Sequence, residues 1–122
     1  MSARRLMAAF AALAVLVAIG ASSVLAARSQ TQATTVRVSA PASNAFKFTL
    51  SRTSAPHGKV TFIFTNKASI KHDFSIAGKK TIQLGHNKSA TLVVTLAKGK
   101  HPYKCTVDGH AAAGMKGTFT ST

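Results

Sequence analysis

Carboxylates are nearly missing from this chain. Asp73 and Asp108 stand alone against 16 lysines and arginines, and there is no glutamate. General acid–base catalysis draws on positioned titratable partners, and no such pair and no open catalytic triad can be assembled here. Cysteine is equally scarce: Cys105 is the only one, so no intrachain disulfide can form. Past the first 26 residues there is one methionine, Met115, and no segment of useful length with helical periodicity. An internal repeat and a second domain are also lacking. The chain therefore reads as one small all-β unit with few reactive groups.

The N-terminus has a different composition. Met1-Ser2-Ala3-Arg4-Arg5 is a short basic head, Leu6 to Ile19 is apolar, and small residues run through Ala21–Ala27. This order predicts a signal peptide over residues 1–26, with Val24 and Ala26 before the cleavage point. The uncharged stretch Leu6–Ala27 is also long enough to stay as a membrane anchor. Its alanine-rich, weakly hydrophobic character favours cleavage and an exported, periplasmic or extracytoplasmic product. Removing the leader leaves 96 residues: a polar lead-in at 27–34 and one domain at 35–122.

Export makes a lone thiol a liability unless something occupies it. It also leaves 14 basic residues against 2 acidic ones, a net charge of +12. Such a field suits acidic partners or an anionic membrane or envelope surface, with peripheral association. Nucleic acid is disfavoured by export and by the scatter of the lysines, of which only Lys79 and Lys80 are adjacent.

Period-two alternation predicts strands over Thr35–Ser39, Ala45–Leu50 (around Phe46, Phe48 and Leu50) and Lys59–Thr65. Shorter ones are expected at His72–Ile76 and Lys80–Leu84, then Ser89–Leu96, Gly99–Cys105 and Lys116–Thr120. Pro56-His57-Gly58, Ala77-Gly78-Lys79 and Gly85-His86-Asn87-Lys88 are the turns between them. About eight short strands at this spacing imply an antiparallel Greek-key β-sandwich.

One segment carries most of the chemical information. In Cys105-Thr106-Val107-Asp108-Gly109-His110-Ala111-Ala112-Ala113-Gly114-Met115, four residues separate Cys105 from His110 and four separate His110 from Met115. Each alone has a plain structural explanation, since a single Cys or Met is usually core filler. With His72, from Lys71-His72-Asp73-Phe74, they make two imidazoles, a thiolate and a thioether, the donor set of a blue-copper site. On these residues the chain resembles the cupredoxin family (type 1 blue-copper, plastocyanin/azurin-like) over nearly everything after the leader. The Cys-to-His interval is longer than in plastocyanin and the His-to-Met interval longer than in azurin. The spacing is closer to rusticyanin and auracyanin, whose longer chains are not expected to match.

The resemblance implies one type 1 copper held by His72, Cys105, His110 and, axially, Met115. It also implies that Asp73 accepts a backbone hydrogen bond near Thr106 and so orients the ligands. Asp108 reads as a turn former. His57 and His86 read as surface groups in turns, and His101 as a group at the core edge or beside the site. The function expected is single-electron transfer by a monomer, with redox protein partners that present acidic docking surfaces. The competing expectation is copper buffering or delivery without electron transfer. A copper enzyme would need an open coordination position or a second copper, for which no ligands are seen.

Overall fold

The computed structural model describes residues 32–122, all of them in strands, turns or irregular segments. The expected signal peptide, the alternative anchor and the start of the lead-in lie outside the described residues. Among those described, no helix is long and apolar enough to cross a membrane.

The described residues form nine strands: β1 (Thr34–Ala40), β2 (Thr49–Leu50), β3 (Ser54–Ala55), β4 (Gly58–Asn66), β5 (Ser75–Ile76), β6 (Lys79–Lys80), β7 (Lys88–Leu96), β8 (Gly99–Lys104) and β9 (Lys116–Ser121). They form a four-stranded sheet, β2-β1-β4-β7, and a five-stranded sheet, β3-β9-β8-β5-β6. The long strands alternate as a half-buried sheet face should. Val36, Val38 and Ala40 point inward from β1, Val60, Phe62 and Phe64 from β4, and Leu92, Val94 and Leu96 from β7. The sandwich expected from the sequence is the fold observed.

Its sheets, however, are mixed rather than antiparallel: β1 runs parallel to β4, and β3 parallel to β9. Alternation specifies which face of a strand is buried and says nothing about the direction of its neighbour. Between β1 and β4 the chain first passes through β2 and then through β3 in the other sheet, so β4 re-enters beside β1 in the same direction. The two-residue strand β3 had no pattern long enough to be read.

Phe74 organises the core between the sheets. It is fully buried, with ring centroids 5.2–6.3 Å from Phe48, Phe62, Phe64 and Tyr103. Burying each such ring stabilises the fold by about 1.5–3 kcal/mol. Tyr103 needs a glycine opposite it. A Cβ at Gly117 would lie 2.2 Å from the Tyr103 hydroxyl oxygen.

The Ala45–Leu50 strand is the clearest departure from expectation. Only Thr49 and Leu50 pair, and Phe46 sits at a bend, 38 % exposed. Asn44 has a positive φ of 59° and its N–H bonds to Pro41 O, so a turn ends the approach to β2. Phe48 still packs on the core, whereas Phe46 points elsewhere.

Candidate metal centre

Two loops at one end of the sandwich bring the expected residues together. The first follows β4. Asn66, the inward residue after Phe64, is fully buried and fully used: Nδ2 donates to Ile70 O (2.8 Å) and Leu84 O (2.7 Å), and Oδ1 accepts from Ala68 N–H (3.0 Å). His72 then pairs with Leu84 in an isolated antiparallel bridge, N–H to O both ways at 3.2 and 2.8 Å. Its backbone is thus fixed on both sides, and its ring is fully buried.

The second loop joins β8 to β9 and bonds mainly to itself. Cys105 N–H donates to Met115 O (3.0 Å), Met115 N–H to His110 O (3.1 Å) and His110 N–H to Val107 O (3.1 Å). Gly109 and Gly114 turn the chain at φ 78° and 117°. A Cβ at Gly114 would also stand 3.3 Å from Phe46 O, so the glycine admits the β1–β2 connection. Cys105 and Met115 are buried and His110 is half-buried.

The three polar donors converge. Nδ1 of His72 and Nδ1 of His110 are 3.0 Å apart, and Cys105 Sγ lies 3.9 Å from the first and 3.6 Å from the second. A point equidistant from these atoms is about 2 Å from each, close to a metal–imidazole bond length. Nε2 of His72 is buried without a hydrogen-bond partner among the described residues. A metal on Nδ1 would hold the ring in the neutral tautomer with its proton on Nε2. Met115 is buried and backbone-bonded to both Cys105 and His110, and together with the His72/Cys105/His110 cluster it is consistent with one type 1 copper ion.

Asp73 joins the two loops. Thr106 N–H donates to Oδ1 (2.6 Å), and the Thr106 hydroxyl donates to Oδ2. Both oxygens of a buried carboxyl group are therefore used, one residue beyond His72 and one beyond Cys105. Asp108 is exposed in the turn that carries His110.

The other histidines stand apart from the group. His57 Nδ1 meets Thr122 O (3.0 Å), His86 Nδ1 meets Ala68 O (3.1 Å) and His101 Nε2 meets Ala97 O (2.7 Å). His57 and His86 are exposed, as expected for turn residues. His101 is half-buried and bonded into the β7–β8 connection instead of the metal-ligand group.

Phe46 is the site residue that sequence reasoning missed. Its ring lies 4.9 Å from the His110 ring and meets the His72 ring edge-on at 6.4 Å. Alternation with Phe48 and Leu50 placed it in the core. The turn composition of Pro41-Ala42-Ser43-Asn44 just before it was the available counter-signal. Asn66 was legible too, as an amide at the inward position of an otherwise apolar strand face.

Burial pushes the Cys105 thiol up, and burial followed by the charge of His110 lowers His72, with Asp73 acting in the opposite direction. A lowered His72 stabilises the copper-free fold above the ordinary imidazole range; this contribution is lost as pH falls below that range through the lowered folded pKa. A raised thiol contributes below the ordinary thiol range and is lost as pH rises through its folded pKa. Copper must displace the Cys105 proton. Affinity should therefore climb about tenfold per pH unit between pH ~6.5 and ~8, with one proton released from the thiol. Competition titrations in buffers of different ionisation enthalpy measure both; a pH-independent affinity would exclude thiolate ligation.

The fold is similar to that of several solved proteins. Reduced auracyanin from the photosynthetic bacterium Roseiflexus castenholzii superposes with a TM-score of 0.65 at 22% identity, covering 74% of this chain and 98% of that one. Auracyanin A from Chloroflexus aurantiacus, described as a "blue" copper protein, gives 0.61 at 18%, with 72% and 98% covered. Rusticyanin from Thiobacillus ferrooxidans gives 0.62 at 21%, with 72% and 76% covered. No family model matches the chain, and no curated protein matches it. The auracyanin chains are covered almost end to end, so the expected length mismatch does not apply to them; rusticyanin alone of the three keeps a substantial uncovered part.

Proposed function

We propose that this chain, which has the cupredoxin fold, is an exported blue-copper protein that carries single electrons and is not an enzyme. One observation carries the reading. Two imidazole nitrogens and a thiol sulfur close a triangle of 3.0–3.9 Å in a buried site, each donor held by backbone hydrogen bonds. Copper supplies reversible one-electron exchange between Cu(I) and Cu(II). The protein's contribution is to keep the donors in place. His72 is clamped to Leu84, Cys105 to Met115, and Asp73 ties the two loops together. With two loops braced against two sheets, the ligands have little room to rearrange between oxidation states. The buried Met115 and His72 lie away from solvent, and the Phe46 ring stands against His110.

Electron carriage and copper delivery differ in a measurable way. The copper-loaded protein should pass through repeated oxidation and reduction with its metal retained, and should lose little to a copper-free acceptor over the same period. Rapid transfer of the ion to that acceptor, with irreversible redox behaviour, would favour delivery.

The exit route follows from exposure. His110 is half-buried, and Ala112 and Ala113 beside it are exposed, with Phe46 across the imidazole. A partner can approach these small side chains closely and shed water at little cost. Ala112→Glu should slow electron transfer to the partner by about tenfold or more, through a charge in a desolvated contact, with an unchanged visible spectrum. An unchanged rate would place the exit on another face. Long-range steering by the positive charge should also make association with an acidic partner slow down as salt is raised, since physiological salt shortens the screening length to about 8 Å. Stopped-flow rates that stay flat or rise with salt would rule steering out.

A further inference from the structure

Lysines that look scattered in the sequence are drawn into a line by the register of the five-stranded sheet. Lys80 lies opposite Ser75, Ser75 opposite Lys104, and Lys104 opposite Lys116. Residues directly opposite one another share a face. The row therefore reads Lys80, Ser75, Lys104, Lys116 across β6, β5, β8 and β9, about 14 Å from end to end at ordinary strand spacing. All three lysines are exposed. Lys104 and Lys116 are immediate cross-strand neighbours, an arrangement of like charges that destabilises a sheet. Asp73 is buried with both oxygens taken by Thr106, and Asp108 belongs to the turn carrying His110. Departures from local stability of this kind collect at functional sites.

The row also borders a groove of about 980 Å³, walled by the β5–β6 hairpin and by β8 and β9. Pro102 and Gly117 give it apolar surface, and Lys79 adds a fourth ammonium to its rim. A concave, mostly apolar trough edged with lysines suits a protruding polypeptide segment better than a flat bilayer. Lys104 precedes Cys105 and Lys116 follows Met115, so an occupant would sit one residue from two of the metal donors.

We propose that this lysine row is the docking site for an acidic segment of a partner protein, distinct from the His110 edge. That the partner is a redox protein rests on the electron-carrier reading; the binding itself does not. Acetylated hexaglutamate is the probe, followed by calorimetry and by amide chemical shifts, on the protein with and without copper. Binding should shift amides of β8, β9 and the β5–β6 hairpin. The triple variant Lys80→Gln, Lys104→Gln, Lys116→Gln should weaken it by about tenfold, whereas Lys59→Gln, Lys88→Gln, Lys98→Gln, with the same loss of charge, should change it less than about twofold. Equal weakening in both triples would show a general field effect and overturn the site. Row-dependent binding to phosphatidylglycerol vesicles without hexaglutamate binding would overturn it in favour of a lipid surface. Lys116→Gln alone should raise the thermal midpoint at low ionic strength, and a fall would contradict the repulsive row. Because these readouts are taken without copper as well, they stay separate from any failure of the blue-copper reading.

Discussion

Copper-loaded protein should be intensely blue, and Cys105→Ser should lose the colour entirely. The band expected is charge transfer from thiolate sulfur to Cu(II), and Cys105 is the only sulfur able to provide a thiolate. Serine preserves size and hydrogen bonding but offers a hard oxygen of much higher pKa, so residual Cu(II) would bind as a pale ordinary complex. His57→Ala and His86→Ala should keep the full band, because both rings are bonded to backbone carbonyls outside the site. Absorption spectra with matched copper analysis decide the matter. Fully bound Cu(II) in a colourless wild type would refute the ligand assignment.

Substitution of Asp73 should have the next largest effect, on stability and potential together. Its two oxygens accept the Thr106 amide and hydroxyl, and the group is 1 % exposed. Asp73→Ala would strand those donors in a nearly dry setting, costing about 2–4 kcal/mol. Copper affinity should fall by roughly 10–100-fold, as when other groups that orient metal ligands are removed. Asp73→Asn is the sharper variant. Its amide oxygen can still accept the Thr106 N–H, so the fold should lose less. Loss of negative charge next to the site disfavours Cu(II), so the potential should rise by roughly 60 mV or more, a tenfold change in a one-electron equilibrium. Denaturant unfolding of the copper-free protein and voltammetry of the loaded protein separate the two effects. A potential that falls or stays put in Asp73→Asn would mean that the carboxyl group acts on geometry alone.

Much of this was local information. Val36, Val38, Val60, Phe62, Phe64, Val94 and Leu96 declare their buried faces by alternation, because a strand's side chains have a period of two whatever it pairs with. The Cys105–His110–Met115 spacing is similarly intrinsic. All three lie in one loop closed by its own hydrogen bonds, so their order along the chain nearly specifies their order in space. The donor chemistry asked for a second imidazole, and the cupredoxin resemblance pointed to His72 among the remaining histidines.

Other features depend on which strands become neighbours. The parallel pairing of β1 with β4 and β3 with β9 is a matter of chain path, to which alternation is blind. Phe46 has the same composition cue as Phe48, yet a turn at Asn44 aims it at His110. The lysine row has no linear trace, because Lys80, Lys104 and Lys116 meet only through register. Sequence by itself determined the buried faces of the long strands and the order of Cys105, His110 and Met115 within one loop, since both follow from side-chain type and short-range spacing. Tertiary structure alone decided strand direction, the cover over the imidazoles and the lysine row, since those arise where distant segments are laid side by side.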